Sequence, residues 1–468
     1  MKIMNNSKIF LLILLAVEIL LGAVGCTPAK PGNSDEQPSG AASQSGRATT
    51  QPSNAITQTT DTPAQSGGAA THPGNVAVLA ADLMHSVTPN RVNGKVADNA
   101  FTESMADFSI ELFKKSMADK ENSLISPLSV VFALAMTANG ADNETLAQME
   151  KLLGGDLPLA ELNEYLYSYA DSLPSADKSR LEIANSIWFC NYEGGLLVKP
   201  DFLQRNADYY GAAAFSSAFD SQTVSDINNW VKTNTDGMID RIIDEILDGQ
   251  EMFLINAVMF DAEWQSVYYT QSIREGEFTD ITGAKQKVDF MHSSERKYLD
   301  DGMATGFIKV YNGGSYSFAA LLPNEGVSID DYIESLTGEG FLSTLNNAQS
   351  VEVNASMPKF EYEYGVEMSS ALKALGMPDA FDANKADFSA MADSPQGKLF
   401  ISFVLHKTFI AVDELGTKAG AVTMVAMAPG AAPNAEVPKV VRLDRPFVYA
   451  IIDNATNLPI FIGTLMNV

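Results

Sequence analysis

Cysteine is almost missing from this chain of 468 residues: Cys26 and Cys190 are the only two, too few for a disulfide framework. Histidine is nearly as scarce. His72, His85, His292 and His406 stand far apart with no cysteine beside them, which argues against a zinc site of the usual spacing, and nothing else calls for a metal or cofactor. Basic residues are the third shortage: Lys and Arg total 31 against 58 Asp and Glu, a formal net charge of −27. Nucleic acids and heparin-like polyanions are bound by clustered Lys and Arg that release counterions, so this charge balance argues against both as partners. The acidity itself serves solubility through self-repulsion. What remains is ordinary for a soluble globular protein, 46% hydrophobic and 19% charged, with no internal repeat and length enough for one large domain or more.

The first 25 residues read as an address. Lys2 and Lys8 precede an apolar run, Ile9–Gly25, the charged and apolar regions of a secretory signal. The run ends in Ala23-Val24-Gly25-Cys26, which resembles the lipobox of bacterial lipoproteins, where the cysteine is lipidated and becomes the new N-terminus. Leu in place of Ala23 would fit that pattern better, and Glu18 interrupts the apolar run. An uncleaved anchor and a plain signal are the alternatives; all three export the chain. Residues 26–75 are rich in Pro, Gly, Ser, Gln, Thr and Ala and nearly free of large apolar side chains. Such a stretch cannot bury enough surface to offset its ordering entropy and reads as a flexible tether. The folded domain is expected over 76–468, with its core from about Phe101.

Within that domain helical and strand patterns mix. Met105, Phe108, Leu112 and Phe113 recur at helical spacing. Ser126-Pro127 should open the next helix, with Ser126 as cap, Pro127 in the first turn and Val130–Ala138 as its apolar body. Leu181–Phe189, Met252–Phe260, Ser317–Leu322 and Val351–Met357 read as strands, and Ser225–Asp248 as helical with a break at Gly237. Strands and helices without strict alternation indicate an α+β domain. Cys190 ends an apolar strand and reads as an inert small hydrophobe.

Several blocks then resemble one family, in order along the domain: NSLISPLSVVFALAMTANG from Asn122, LEIANSIWF from Leu181, NNWVKTNTDGMI from Asn228, LINAVMFDAEW from Leu254 and ALLPNEG from Ala320. MPKF from Met357, ADF from Ala386, LHKTFIAVDELGTKAG from Leu405, DRPF from Asp444 and LPIFIG from Leu458 complete the series. Each is modest alone; ten in the right order identify the chain as resembling the serpins. The resemblance implies three β-sheets, about eight to nine helices and an exposed reactive-centre loop. It also implies a serine protease inhibitor that is a suicide substrate, acting as a monomer and not as an enzyme. A protease cleaves the loop, and the freed hinge inserts as a new strand into the large sheet.

The loop implied is Gly416–Val437. An inserted strand slides between two others, so its core-facing residues must be small. From Glu414 and a pliant Gly416, alternate positions Thr417, Ala419, Ala421 and Thr423 share one face, none large or charged. Lys418, Gly420, Val422 and Met424 form the other, and Lys418 stands where the family often has an acid. Without its flanks the segment would read as a plain Ala/Gly/Pro linker. A non-inhibitory serpin serving as a carrier is the alternative function, but such members tend to carry bulky, charged or proline residues in the hinge. The family's spacing puts the reactive bond near Gly430–Ala431, with Met427 and Ala428 as alternatives. No Arg or Lys lies between Lys418 and Lys439, so a trypsin-like enzyme finds nothing to read. Small apolar residues there suit elastase-like or subtilisin-like proteases, and a tolerant cysteine protease is the other candidate.

Ser126, Ser129, Asn256 and His406 match the family's shutter, a buried polar cluster where the large sheet parts, and Trp264 its breach, where insertion begins. Read as enzyme residues, Ser126 and His406 would be nucleophile and base. No G-x-S-x-G turn surrounds Ser126, however, and a helix start is not a nucleophile elbow.

Overall fold

The computed structural model describes residues 80–468 except 177, 193, 194, 396 and 418–436. The signal, Cys26 and the whole tether lie outside the described residues, as do Ala419, Gly420, Ala421, Thr423, Met427, Ala428, Gly430 and Ala431.

Nine α-helices occur among the described residues: α1 Asn99–Ser116, α2 Pro127–Ala138, α3 Asn143–Gly154, α4 Leu159–Ser172, α5 Pro200–Tyr210, α6 Ser221–Asn234, α7 Ile329–Ser335, α8 Gly338–Asn346 and α9 Ser369–Ala374. Local chemistry sets their starts. The Asp98 carboxylate accepts from Phe101 N at the start of α1, and Ser126 Oγ accepts from Ser129 N at the start of α2, whose first residue is Pro127. Every residue of α2 is buried, as an all-round apolar helix demands.

Three sheets make the framework. Sheet A runs in the order β1 (Ala81–Asp82), β5 (Ala213–Ser217), β3 (Ser179–Cys190), β6 (Met252–Glu263), β16 (Gly416–Thr417), β15 (Phe403–Val412), β13 (Phe360–Glu367). Sheet B runs β2 (Ser123–Ile125), β19 (Pro459–Leu465), β18 (Phe447–Asp453), β11 (Tyr316–Pro323), β10 (Ala304–Val310), β9 (Tyr298–Asp300). Sheet C runs β17 (Lys439–Arg442), β12 (Val353–Pro358), β8 (Lys285–Glu295), β7 (Ile273–Thr279). A two-stranded pair, β14 (Ala392–Asp393) with β4 (Leu197–Val198), completes the set. This is the expected mixed α+β architecture of three main sheets. The strands read from sequence are all present, each longer or shifted by one to three residues.

Two cores flank sheet A. The larger packs α1, α2 and sheet B against one face. The smaller covers part of the other face, where Ile227, Trp230 and Val231 of α6 meet Phe253, Ile255 and Ala257 of β6. One expectation fails here. The helical pattern read over Ser225–Asp248 holds only to Asn234, and residues 238–250 are irregular. The chain reverses at Asp236 and Gly237, both at positive φ. Ile239 and Ile243 then enter the smaller core from loop backbone. Side chains of α6 replace the missing helical bonds: Asn228 Oδ1 accepts from Ile242 N (2.8 Å) and Ile243 N (3.2 Å), and its Nδ2 donates to Ile243 O (2.8 Å). Apolar spacing alone cannot distinguish this from helix.

Asn228→Ala removes three bonds to part-buried backbone groups, and is expected to lower the unfolding free energy by about 2 kcal/mol. Urea denaturation measures it; a loss below about 0.5 kcal/mol would mean that water replaces the side chain freely.

Candidate functional site

Strands β6 and β15 run parallel and pair directly at one end only, from Phe253↔Phe403 to Ala257↔Lys407. Beyond that point no ladder pair joins them among the described residues. At the far end β16 lies between them, antiparallel to both: Gly416↔Glu263 and Thr417↔Ala262 on one side, Thr417↔Val412 on the other. The sheet is thus closed at one end and wedged at the other by the first two residues of the loop.

Glycine is required at the wedge for a steric reason. A Cβ on Gly416 would stand 2.0 Å from the carbonyl oxygen of Ala262 and 2.8 Å from Glu263 Cα. Gly416 is therefore a point of close backbone approach rather than simply a pliant hinge. Thr417 is 2% exposed, and its hydroxyl meets Tyr311 Oη at 2.5 Å.

The turn before β16 is held from several directions. Asp413 Oδ1 accepts from Leu415 N (2.7 Å) and Gly416 N (3.1 Å). Trp264 lies under the turn, 1% exposed, its Nε1 donating to Asp413 O (2.9 Å) and its backbone N to Leu415 O (2.7 Å). Its ring stacks on Tyr311 at 4.4 Å. Glu414 pairs with Lys359 at 2.5 Å, and that ammonium holds its carboxyl below the usual range. Lys309 is buried beneath, donating to Glu295 (3.0 Å) and Ser266 O (3.1 Å) with its charge over the Tyr268 ring; burial pushes its pKa down.

Ser126, Ser129, Asn256 and His406 come together where β6 and β15 still pair. Asn256 and His406 are register partners across the strands. His406 Nε2 accepts from the backbone N of Ser126 (3.0 Å), so Nδ1 carries the proton and donates to Asn256 Oδ1 (2.6 Å). Asn256 Nδ2 donates to Ser129 O and to Asn185 Oδ1, both at 2.5 Å. The Ser129 hydroxyl has no partner among the described residues. This arrangement is not a nucleophile with its base: His406 faces the Ser126 amide, the Ser126 hydroxyl serves as helix cap, and the two residues are 0% and 1% exposed. It is a lock, in which one imidazole joins the start of α2 to the closed end of the seam.

Sequence reading did not single out Tyr311, Lys359, Asp413 or Lys309. Lys359 lay in the MPKF block and Asn185 in the Ala-Asn pair of another, but spacing gives no sign of what either touches.

Comparison with known proteins agrees with this geometry. The family described as Serpin (serine protease inhibitor) matches residues 103–468. The native-state crystal structure of tengpin, a thermophilic serpin, is 56% identical with a TM-score of 0.80, covering 83% of this chain and 100% of that one. Tengpin in the latent state is 53% identical with a TM-score of 0.71, covering 80% and 100%. A protein named serine protease inhibitor from Cyanea capillata is 29% identical over 74% of this chain and 93% of its own length.

Burial pushes the His406 pKa from 6.5 down to about 3. Between those values the unfolded chain binds a proton that the folded chain excludes, so stability is full above about pH 6.5 and falls on acidification toward about pH 3. His406→Gln is expected to reduce the acid dependence of the melting temperature between pH 7 and pH 4.5. An unchanged dependence would mean that His406 is not buried as a neutral ring.

Proposed function

The chain belongs to the serpin family, and we propose that it is an inhibitory member that traps serine proteases by cleavage and insertion of residues 417–426 into the seam between β6 and β15. The observation that carries this reading is the wedge itself. β16 already occupies the strand position, in register with both neighbours.

Register dictates the rest of the insertion. Each step forward from Thr417 is one step back along β6 and β15. Ala419 then comes opposite Phe260 and Ile410, Ala421 opposite Val258 and Thr408, Thr423 opposite Asn256 and His406, and Ala426 opposite Phe253 and Phe403. Along β15 the even-numbered residues, from Val404 to Val412, are the buried ones. The inserted residues that share this face are Thr417, Ala419, Ala421, Thr423 and Val425, all small or of moderate size. Thr423 would bring a hydroxyl to the cluster where that of Ser129 has no partner.

The other face changes character at the right place. Lys418 comes opposite Asp261, which suits a lysine where the family often has an acid. From Ala257 downward β6 faces the apolar core under α6, and there the inserted residues are Val422, Met424 and Ala426.

The chemistry belongs to the protease. Its serine oxygen adds to the carbonyl of the residue before the cut, near Gly430; the peptide C–N bond breaks, and the new amine at Ala431 leaves with the proton. The serine ester remains on the hinge side. Insertion through Ala426 carries that ester about 30 Å along sheet A before water can hydrolyse it, at roughly 3.4 Å per residue. Small and apolar residues from Val425 to Ala431 favour elastase-like or subtilisin-like targets. Lipidation at Cys26 and a tether through residue 75 would display the loop on the outer side of a bacterial membrane.

Incubation with an elastase- or subtilisin-type enzyme is expected to give an SDS-stable complex, and cleaved inhibitor that melts well above the intact form. Cleavage without complex or stabilisation would indicate a carrier instead. Thr423→Arg buries a charge beside His406 and should cut the trapped fraction at least about tenfold while cleavage continues, whereas Lys418→Ala should still trap. Equal trapping by both variants would refute the register.

A further inference from the structure

Sheet C carries a row of side chains on the face turned away from its core residues Met291, Met357 and Val441. His292, Ser356 and Arg442 are register partners across β8, β12 and β17. Arg274 of β7 pairs with Phe290, two residues from His292 and on the same face. Together they line a cleft of about 300 Å³. At its edge the Phe290 ring packs directly over Gly276, where a Cβ would stand 2.6 Å from the ring.

The charges in this cleft are unbalanced. Neither Arg274 nor Arg442 has a hydrogen bond or ion pair to its side chain among the described residues, in a chain whose acids outnumber its bases 58 to 31. The neighbouring acids are engaged elsewhere. Asp444 at the rim pairs with Arg445 (3.2 Å), Glu275 with Lys287 (2.6 Å) and Glu277 with Lys285 (2.8 Å). On the floor Ser356 is 5% exposed, and its hydroxyl has no partner among the described residues. Partial burial holds the His292 pKa down, and the nearby charges of Arg274 and Arg442 add to it.

Two guanidiniums, an imidazole and the Ser356 hydroxyl lining one cleft are the donor set for an anion. We propose that this cleft binds a phosphate-type oxyanion, with Arg274 and Arg442 as opposed forks, His292 as a third donor and the Ser356 hydroxyl beneath. Two forks with a third donor call for more acceptor oxygens than the two of a single carboxylate, which a tetrahedral oxyanion supplies, and the cleft has room for a phosphomonoester. The bound anion would bridge β17, the strand that receives the loop, to the β7–β8 hairpin across the sheet. It stabilises the folded state because the site does not exist in the unfolded chain. The site stands whether or not the loop traps proteases.

The test is an NMR titration of the His292 ring in the full-length protein at pH 6.5 and constant ionic strength, with inorganic phosphate as the probe. The expected result is a saturable shift toward the protonated position, with a Kd on the order of millimolar and a matching rise in melting temperature. Arg274→Gln and Arg442→Gln should each weaken binding about tenfold. Lys151→Gln, on α3 and outside the cleft lining, should leave it unchanged. A shift that follows ionic strength alone, survives both arginine substitutions, or appears at equal concentration with acetate would overturn the proposal.

Discussion

Five parallel pairings between β6 and β15 decide what the rest of the molecule must do. Parallel ladders are slightly weaker per residue than antiparallel ones, and this one stops halfway. Beyond Ala257 and Lys407 the strands give way to Thr417 and Gly416, whose ladder is antiparallel on both sides. A further strand in the unpaired stretch would give such a sheet a better-paired arrangement, and the closed end would stand in the way of its full entry. The polar lock under that end is therefore more than a buried network. It ties Asn256 and His406, one from each strand, to the start of α2. Parting the strands takes these groups out of register with one another, so opening and repacking of the lock are a single event.

The wedge end is held with equal care. Trp264, Tyr311 and the Asp413 turn fix the depth to which the loop enters, and the Glu414–Lys359 pair fixes the direction from which it comes. In the proposed mechanism, deeper entry of the intact loop would be opposed by its continuation into β17 in sheet C. Cleavage would remove that constraint without altering any contact described in the seam, so that one peptide bond would control a rearrangement of the sheet.

Much of this was legible in the sequence because it rests on short-range chemistry. Ser126-Pro127 announces the cap and first turn of α2, whereas the alternation of small residues after Gly416 runs, beyond Thr417, outside the described residues. Family resemblance grouped Ser126, Ser129, Asn256 and His406, and the structure adds how they bond: to the amide of Ser126, not to its hydroxyl. What stayed hidden depends on contacts between residues distant in the chain. The irregular stretch after Asn234 has the apolar spacing of a helix, but its backbone bonds go to Asn228 and Thr235. Gly416 looks like a hinge until the Ala262 carbonyl is found 2.0 Å from where its side chain would be. Lys418 lies outside the described residues; extending the register of Thr417 by one residue would set it opposite Asp261 on insertion.

The central claim is that the loop enters the seam in the register set by Thr417, and a crystal structure of the protein cleaved in its loop measures this directly. It should show Thr423 between Asn256 and His406, Lys418 beside Asp261, and the direct pairing of residues 253–257 with 403–407 replaced by a new central strand. A cleaved structure in which Phe253 still pairs with Phe403 and the lock is intact would contradict the account.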